Sequence, residues 1–424
     1  MPHASEPDSP ASAAPLDPAA RLADVLAAIV PWPEDGSRPD GPVAVDATDR
    51  LLLDEAAPLL ADARPGEVVV IGDRFGALTL GALTLGPSEL RTSTDTATAE
   101  AALQHHVREP LMAAVRGDRR EVGVKDFEHL EPGLLDGARL VLLQLPPSLA
   151  ELTEIAEAIA RHAADDVVVL AGGRVKHMTR AMNDVLAASF MDVRATLARQ
   201  KSRVLVATGV RPEARDAAPT LPARAVLRDA ELLTAATPAG GTAPEHVDVV
   251  AHGGVFAGTS LDLGTRFLLT TADRWPAADR VRDAVDLGSG SGLLATVLAL
   301  RYPDARVVGT DRSAAAVAST RATAEANGVD ARVVALRGDA GEDLEPASVD
   351  LILLNPPFHD RAAVRTDAAH RMFRAAGRAL RQGGELWCVF NTALHYRQAL
   401  TRAVGPTVHI AQNPKFTVTR SRRR

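Results

Sequence analysis

Short apolar runs alternate with longer amphipathic stretches through the second half of the chain. Ala284-Val285-Asp286-Leu287 predicts a strand that ends at Gly288, Gly290 and Gly292, and a helix follows through Leu293 to Arg301. A second strand over Arg306–Thr310 stops at Asp311. The helix Ala314–Ala326 ends at Asn327-Gly328, a pair suited to a helix C-terminus because glycine tolerates left-handed backbone. Further strands read as Arg332–Leu336 and Val349–Leu354, and the latter runs into Asn355-Pro356-Pro357-Phe358. A helix over about Asp367–Leu380 precedes Gly383-Gly384, which predict a turn into a strand at Glu385–Phe390. Such alternation with short connections implies a parallel sheet covered by helices on both faces. Thr407–Ala411 and Phe416–Thr419, separated by Gln412-Asn413-Pro414-Lys415, predict a hairpin that adds an antiparallel strand.

The first half repeats this plan more faintly. Val68–Ile71 runs into Gly72-Asp73-Arg74-Phe75-Gly76, and about 216 positions later the same slots hold Gly288–Gly292. The same offset takes Asp95 onto Asp311, and Leu140–Pro147 resembles Leu351–Pro357 at an offset of about 210. Several matches in order imply an internal duplication. The copies differ where a ligand would sit. Arg74 occupies the middle glycine slot, and Leu145 stands before the double proline where the second copy has Asn355. A fold kept without its chemistry is expected for the first copy. The expected organisation is a disordered tail at 1–20, a non-catalytic domain at 21–207, a linker at 208–252 with one short helix at about Ala225–Leu233, and a catalytic domain at 253–424.

Composition changes this picture little. The 424 residues exceed one ordinary core, and 46% hydrophobic content with mixed charge fits a globular protein. No apolar run is long enough for a membrane helix, and the N-terminus lacks the pattern of a signal peptide. The single cysteine, Cys388, lies in an apolar run and is expected to be a buried, inert thiol of a cytoplasmic protein. Cys and His show no metal-ligand spacing, so no metal is expected. A net charge of −7 gives no bulk argument for nucleic acid. Arginines cluster at Arg361, Arg365, Arg371, Arg374, Arg378 and Arg381 and again over Arg420–Arg424, which reads first as solvated helix face and chain end.

The candidate chemistry is in the second copy. Gly288-Ser289-Gly290-Ser291-Gly292 after a strand brings backbone close to a ligand, with a helix N-terminus behind it and Leu293 opening that helix. The third glycine comes one residue earlier than in a dinucleotide site, and Asp286 precedes the loop. A carboxylate there suits a cationic group, such as the ammonium of S-adenosylmethionine, better than a pyrophosphate. Asp311, followed by Arg312, is placed to accept from ribose hydroxyls, or to cap the next helix. Asp339, followed by Ala340, is placed to accept from an adenine amine, or to serve a turn. Asn355-Pro356-Pro357-Phe358 is the most informative tetrapeptide. The Asn355 oxygen and the Pro356 carbonyl would hold both hydrogens of a planar NH2, Pro357 stiffens the bend, and Phe358 offers a face to a base. A purely structural bend is the competing reading.

Taken together, Asp286–Gly292, Asp311 and Asn355-Pro356-Pro357-Phe358-His359 resemble class I methyltransferases that act on an amino nitrogen. Val255–Phe267 and Lys415-Phe416 narrow the resemblance to the bacterial ribosomal RNA guanine-N2 methyltransferases of the small and large subunits. The resemblance implies two tandem Rossmann-like class I methyltransferase domains in an α/β fold, each a mostly parallel seven-stranded sheet with an antiparallel C-terminal hairpin strand. It implies that only the C-terminal domain is active. It implies S-adenosylmethionine as cofactor, ribosomal RNA or a ribosomal subunit as partner, and no membrane. It also brings Leu261–Thr265 near the cofactor, with Asp262 and Thr265 the residues to test. Ser289 stands where the family often has Cys, a change conservative in size. Adenine N6 or a protein glutamine would offer the same NH2 geometry, and a catalytically vestigial assembly factor is a third reading. On the first reading, guanine N2 in ribosomal RNA, the inactive first domain would bind RNA or place the catalytic domain, with Arg174, Lys176, His177, Arg180, Arg194, Arg199, Lys201 and Arg203 contacting phosphates. Oligomeric state is not legible.

Overall fold

A computed structural model describes residues 17–34, 41–119, 121–357 and 362–424. Most of the expected tail, 1–20, lies outside these residues, but its last three residues open a helix, Pro18–Ala28, with proline in the first turn. The apolar runs form central strands because helices cover both faces of a parallel sheet. The first sheet is built from β1 (Val68–Ile71), β2 (Glu89–Ser93), β3 (Gly123–Phe127), β4 (Leu140–Gln144), β5 (Val168–Arg174), β6 (Phe190–Ala195) and β7 (Ser202–Val210). A two-stranded ribbon, β8 (Ala223–Leu227) and β9 (Val247–Ala251), comes next. The second sheet holds β10 (Asp283–Leu287), β11 (Arg306–Asp311), β12 (Val333–Arg337), β13 (Val349–Leu354), β14 (Leu380–Asn391), β15 (Thr407–Gln412) and β16 (Phe416–Arg422).

The strand orders are β3-β2-β1-β4-β5-β7-β6 and β12-β11-β10-β13-β14-β16-β15, the same order twice. In each sheet the pairings of the last two strands are antiparallel. The protein is therefore an α/β chain of two tandem doubly wound domains, as the repeat predicts. Register positions the chemistry. Leu287 at the end of β10 pairs with Leu354 at the end of β13, so the glycine loop and Asn355 leave the same edge from neighbouring strands. This is the carboxyl edge, where open parallel sheets bind ligands.

Three local expectations are corrected. Gly383-Gly384 lie within β14, where the pairing with β13 shifts register and Gly383 adopts φ 80°. The expected turn is a bulge that lets the strand continue. The expected helix at Ala225–Leu233 divides into β8 and a helix, Ala230–Ala236, whose N-terminus is capped by the Asp229 carboxylate. The helix expected at Asp367–Leu380 starts earlier and runs Ala362–Ala379.

The two copies meet through a pseudo-symmetric contact. Ala97 N donates to Arg312 O at 2.8 Å, and Ala314 N donates to Asp95 O at 2.7 Å. The Asp95 carboxylate also accepts from Ser313 Oγ and Ala315 N, so it caps the helix Ala314–Ala326 of the other copy. Strand β9 lies on that same helix, with Val250 N donating to Thr323 Oγ1 and His252 N to Ser319 Oγ. Cys388 is fully buried, and burial alone pushes its thiol far above the ordinary range. Among the described residues no helix is long and apolar enough to cross a membrane.

Candidate active site

Gly288, Gly290 and Gly292 all adopt positive φ, at 83°, 52° and 78°. They serve different ends. A Cβ at Gly292 would come 2.6 Å from the Thr320 backbone, so this glycine allows the helix Leu293–Arg301 to pack on Ala314–Ala326. A Cβ at Gly290 would meet nothing within 4 Å. The space above Gly290 is therefore open, which is what close approach of a ligand to backbone requires. Ser289 is buried and its hydroxyl lies 2.9 Å from Thr320 Oγ1, while Leu293 is buried in the core.

The acidic residues line this loop. Asp286 is 1% exposed, and one oxygen accepts from Ala295 N at 2.9 Å. Burial lifts its carboxyl to about 7 against the pull of that N–H, and the charge of Asp311 adds to the rise. Asp311 accepts from Gly290 N at 3.0 Å and from Ser313 N at 3.0 Å. It thus holds the loop and serves the next helix, where the sequence suggests either a ribose contact or a cap. Burial also raises its carboxyl. Arg312 is exposed, and its carbonyl is spent on the contact with the first copy. Asp339 forms a bidentate pair with Arg371, and Ala340 after it adopts φ 55°. Sequence reasoning missed this pairing because the arginine stands on a helix 32 positions away.

The second cluster forms around Asn355. Its Nδ2 donates to Asp262 Oδ2 and to Thr265 Oγ1, each at 3.0 Å. A carboxylate only accepts, so Asp262 settles which end of the amide faces it. The same Asp262 oxygen accepts from Gly264 N and Thr265 N and so caps the helix Leu263–Leu269. Asn355 Oδ1 is buried and has no hydrogen-bond partner. An orphaned buried acceptor costs about 1–3 kcal/mol unless a ligand supplies the donor. Pro356 is buried and Pro357 exposed. Phe358 and His359 lie outside the described residues, as does Arg361. A cavity of about 330 Å³ opens beside the capped helix, lined by Leu263, Arg266, Phe267, Lys415 and Phe416 among others. A larger groove of about 680 Å³, lined by Arg374, Arg402, Arg423 and Arg424, lies beside Pro346-Ala347. That is the opposite edge of the sheet from Asn355, away from where such sheets bind ligands.

The first copy's equivalent loop carries a long side chain in the middle glycine slot. The Arg74 side chain pairs with Glu34 at 2.7 Å and lies 4.9 Å from the Phe75 ring centroid. Asp73 is buried and consumed by Gly76 N and Thr79 N. Gln144, one residue before Leu145, donates to Asp49 at 2.5 Å.

The doubly wound sheet, with a glycine loop and a buried, unpartnered amide oxygen at its carboxyl edge, has the fold of the class I methyltransferases. Residues 246–420 match the family described as the methyltransferase small domain, and residues 36–211 match the RLMG N-terminal domain. The chain is 36% identical to the ribosomal RNA large subunit methyltransferase G of Streptomyces avermitilis, over 93% of this chain and 96% of that protein. It is 33% identical to the protein of the same name from Stutzerimonas stutzeri, over 91% and 94%. It belongs to the ribosomal RNA large subunit methyltransferase G family. Its fold is also that of the T. thermophilus 16S rRNA N2 methyltransferase solved with AdoMet and guanosine, at TM-score 0.67 and 22% identity over 92% of this chain and 94% of that one.

Proposed function

We propose that this protein transfers a methyl group from S-adenosylmethionine to the exocyclic N2 amine of a guanine in ribosomal RNA. The observation that carries the reading is the Asn355 side chain: nitrogen anchored twice, oxygen buried and unpartnered. The relatives named as ribosomal RNA large subunit methyltransferases supply the substrate class.

When bound, S-adenosylmethionine supplies an electrophilic methyl on a sulfonium. Gly290 gives it room against backbone. Asp286 offers a buried carboxylate to its ammonium, Asp311 the ribose-facing acid, and Asp339 the acid nearest the base. Asn355 Oδ1 accepts one N–H of the guanine amine, and the adjoining Pro356 carbonyl accepts the other. Holding both hydrogens would localise the nitrogen lone pair and aim it. As the N–C bond forms the sulfonium–carbon bond would break to leave a thioether, and the amine would give up one proton to solvent, so orientation and fixed dipoles replace a strong base. Asp262 and Thr265 keep the amide from rotating. Lys176, Arg180, Arg194 and Lys201 on the first copy are exposed and suit contacts with phosphates. Arg199 is already paired with Asp54 and Glu55. A ribosomal RNA substrate implies that the reaction takes place in the cytoplasm.

Incubation of the purified chain with labelled S-adenosylmethionine and ribosomal RNA or subunits lacking the modification, followed by nucleoside mass spectrometry, tests the reading. N2-methylguanosine is expected. Label in N6-methyladenosine or in protein glutamine instead would replace the substrate class.

A further inference from the structure

We propose that His129, Glu154 and His252 form a site for a divalent cation of the zinc class that clasps the two copies together. The three residues come from separate elements, which is why no metal-ligand spacing exists in the sequence. His129 follows β3 and Glu154 lies on the helix Leu149–His162, both in the first copy. His252 follows β9, which is bonded to the helix Ala314–Ala326 of the second copy.

The ligand atoms converge. His252 Nδ1 lies 2.5 Å from Glu154 Oε1 and 3.2 Å from His129 Nε2, and His129 Nε2 lies 3.9 Å from Glu154 Oε1. The two rings meet edge to face, with centroids 4.7 Å apart. The side chains of His129, Glu154 and His252 are only 23%, 10% and 16% exposed. Glu154 Oε2 is fixed by the Gly253 N–H at 2.6 Å, the outer hydrogen bond that an orienting carboxylate ligand needs.

A neutral imidazole nitrogen carries either a proton or a lone pair. With a proton on Nδ1, His252 donates to Glu154 Oε1, and His129 Nε2 stands 3.2 Å away as an acceptor or, in its other tautomer, as a second donor, so a hydrogen-bonded triad uses the same three atoms. A cation accepts from all three atoms at once. Two imidazole nitrogens and one carboxylate oxygen, at bond lengths of about 2.0–2.2 Å, are a ligand set typical of zinc, with a fourth position for water.

The test is metal analysis of the untagged full-length chain. Protein is stripped with a chelator, checked by circular dichroism, and titrated with Zn2+ and, separately, with Co2+. Stoichiometric zinc by plasma mass spectrometry, a visible Co2+ spectrum of tetrahedral type and a higher Tm with Zn2+ are expected. His252→Ala and Glu154→Gln should weaken zinc binding by at least the about 10–100-fold that loss of an outer partner costs. If either variant fails to fold, His129→Ala, in a loop, carries the same expectation. Stripped, folded wild-type protein that takes up neither ion and shows an unchanged Tm would leave a hydrogen-bonded triad only and overturn the proposal. So would stoichiometric zinc in His129→Ala.

Discussion

The loops Gly72–Gly76 and Gly288–Gly292 leave the central strand of two sheets with one strand order, yet one carries an arginine where the other has a glycine facing open space. In the first, Arg74 reaches to Glu34 and a buried Asp73 is spent on the following helix. In the second, Gly290 faces open space and Asp286, three positions earlier than the slot Asp73 fills in its own copy, makes the corresponding bond to the helix. The Asp46 carboxylate caps Ala47–Ala61 as Asp262 caps Leu263–Leu269. What the first copy lacks is the asparagine. The fold thus depends on the strand order and the caps, which both copies keep, while the proposed chemistry would depend on a handful of side chains that only one keeps. Asp95 of the first copy serves the second instead, capping one of its helices directly behind Asp311.

Substitutions that erase the difference between the copies should have the largest effects. Asn355→Ala removes the oriented acceptor and should lower methyl transfer by about 100–1,000-fold, the cost of losing one positioned electrostatic partner, with S-adenosylmethionine affinity nearly unchanged. Loss of cofactor affinity with kcat intact would assign Asn355 to binding instead. Cofactor affinity should also depend on pH. Asp286 titrates near 7 in the folded chain, above its unfolded value, so the unliganded fold loses stability as pH rises from about 4 to 7 and no further above. A bound ammonium needs the ionised form. Affinity measured between about pH 5.5 and 8 should therefore fall by up to about tenfold per unit below 7. Asp286→Asn should flatten that profile; an unchanged slope would remove Asp286 from the site. Smaller effects belong to the caps. Asp262→Ala should cost about 1 kcal/mol in denaturant titrations and also lower kcat, because it frees the Asn355 amide. Asp95→Ala should cost about 0.5–2 kcal/mol, read as earlier melting, with the chemistry at saturating substrate unaltered.

Much of this was legible in the chain because its signals are local. Leu293–Arg301, Ala314–Ala326 and Val349–Leu354 are found at the residues their periodicity predicts. Asn355 stands out because a polar amide before two prolines at a strand end has a recognisable purpose. Asp262 was reached only through resemblance, since nothing beside it in sequence shows that it will meet a side chain 93 positions away. Arg371 beside Asp339, Asp95 beside Ser313 and the His129–Glu154–His252 group were invisible for the same reason: each pairs residues that only the tertiary fold brings together. Gly383-Gly384 misled because paired glycines signal a bend, and a bulge inside a strand uses the same freedom as a turn.

Calorimetric titration with S-adenosylmethionine tests most directly whether one copy alone carries the chemistry. The wild-type chain and Arg74→Gly should each bind a single equivalent, and Gly290→Arg, which gives the second loop the side chain of the first, should bind none while remaining folded. A second equivalent in the wild-type chain, or unweakened binding in Gly290→Arg, would contradict the account.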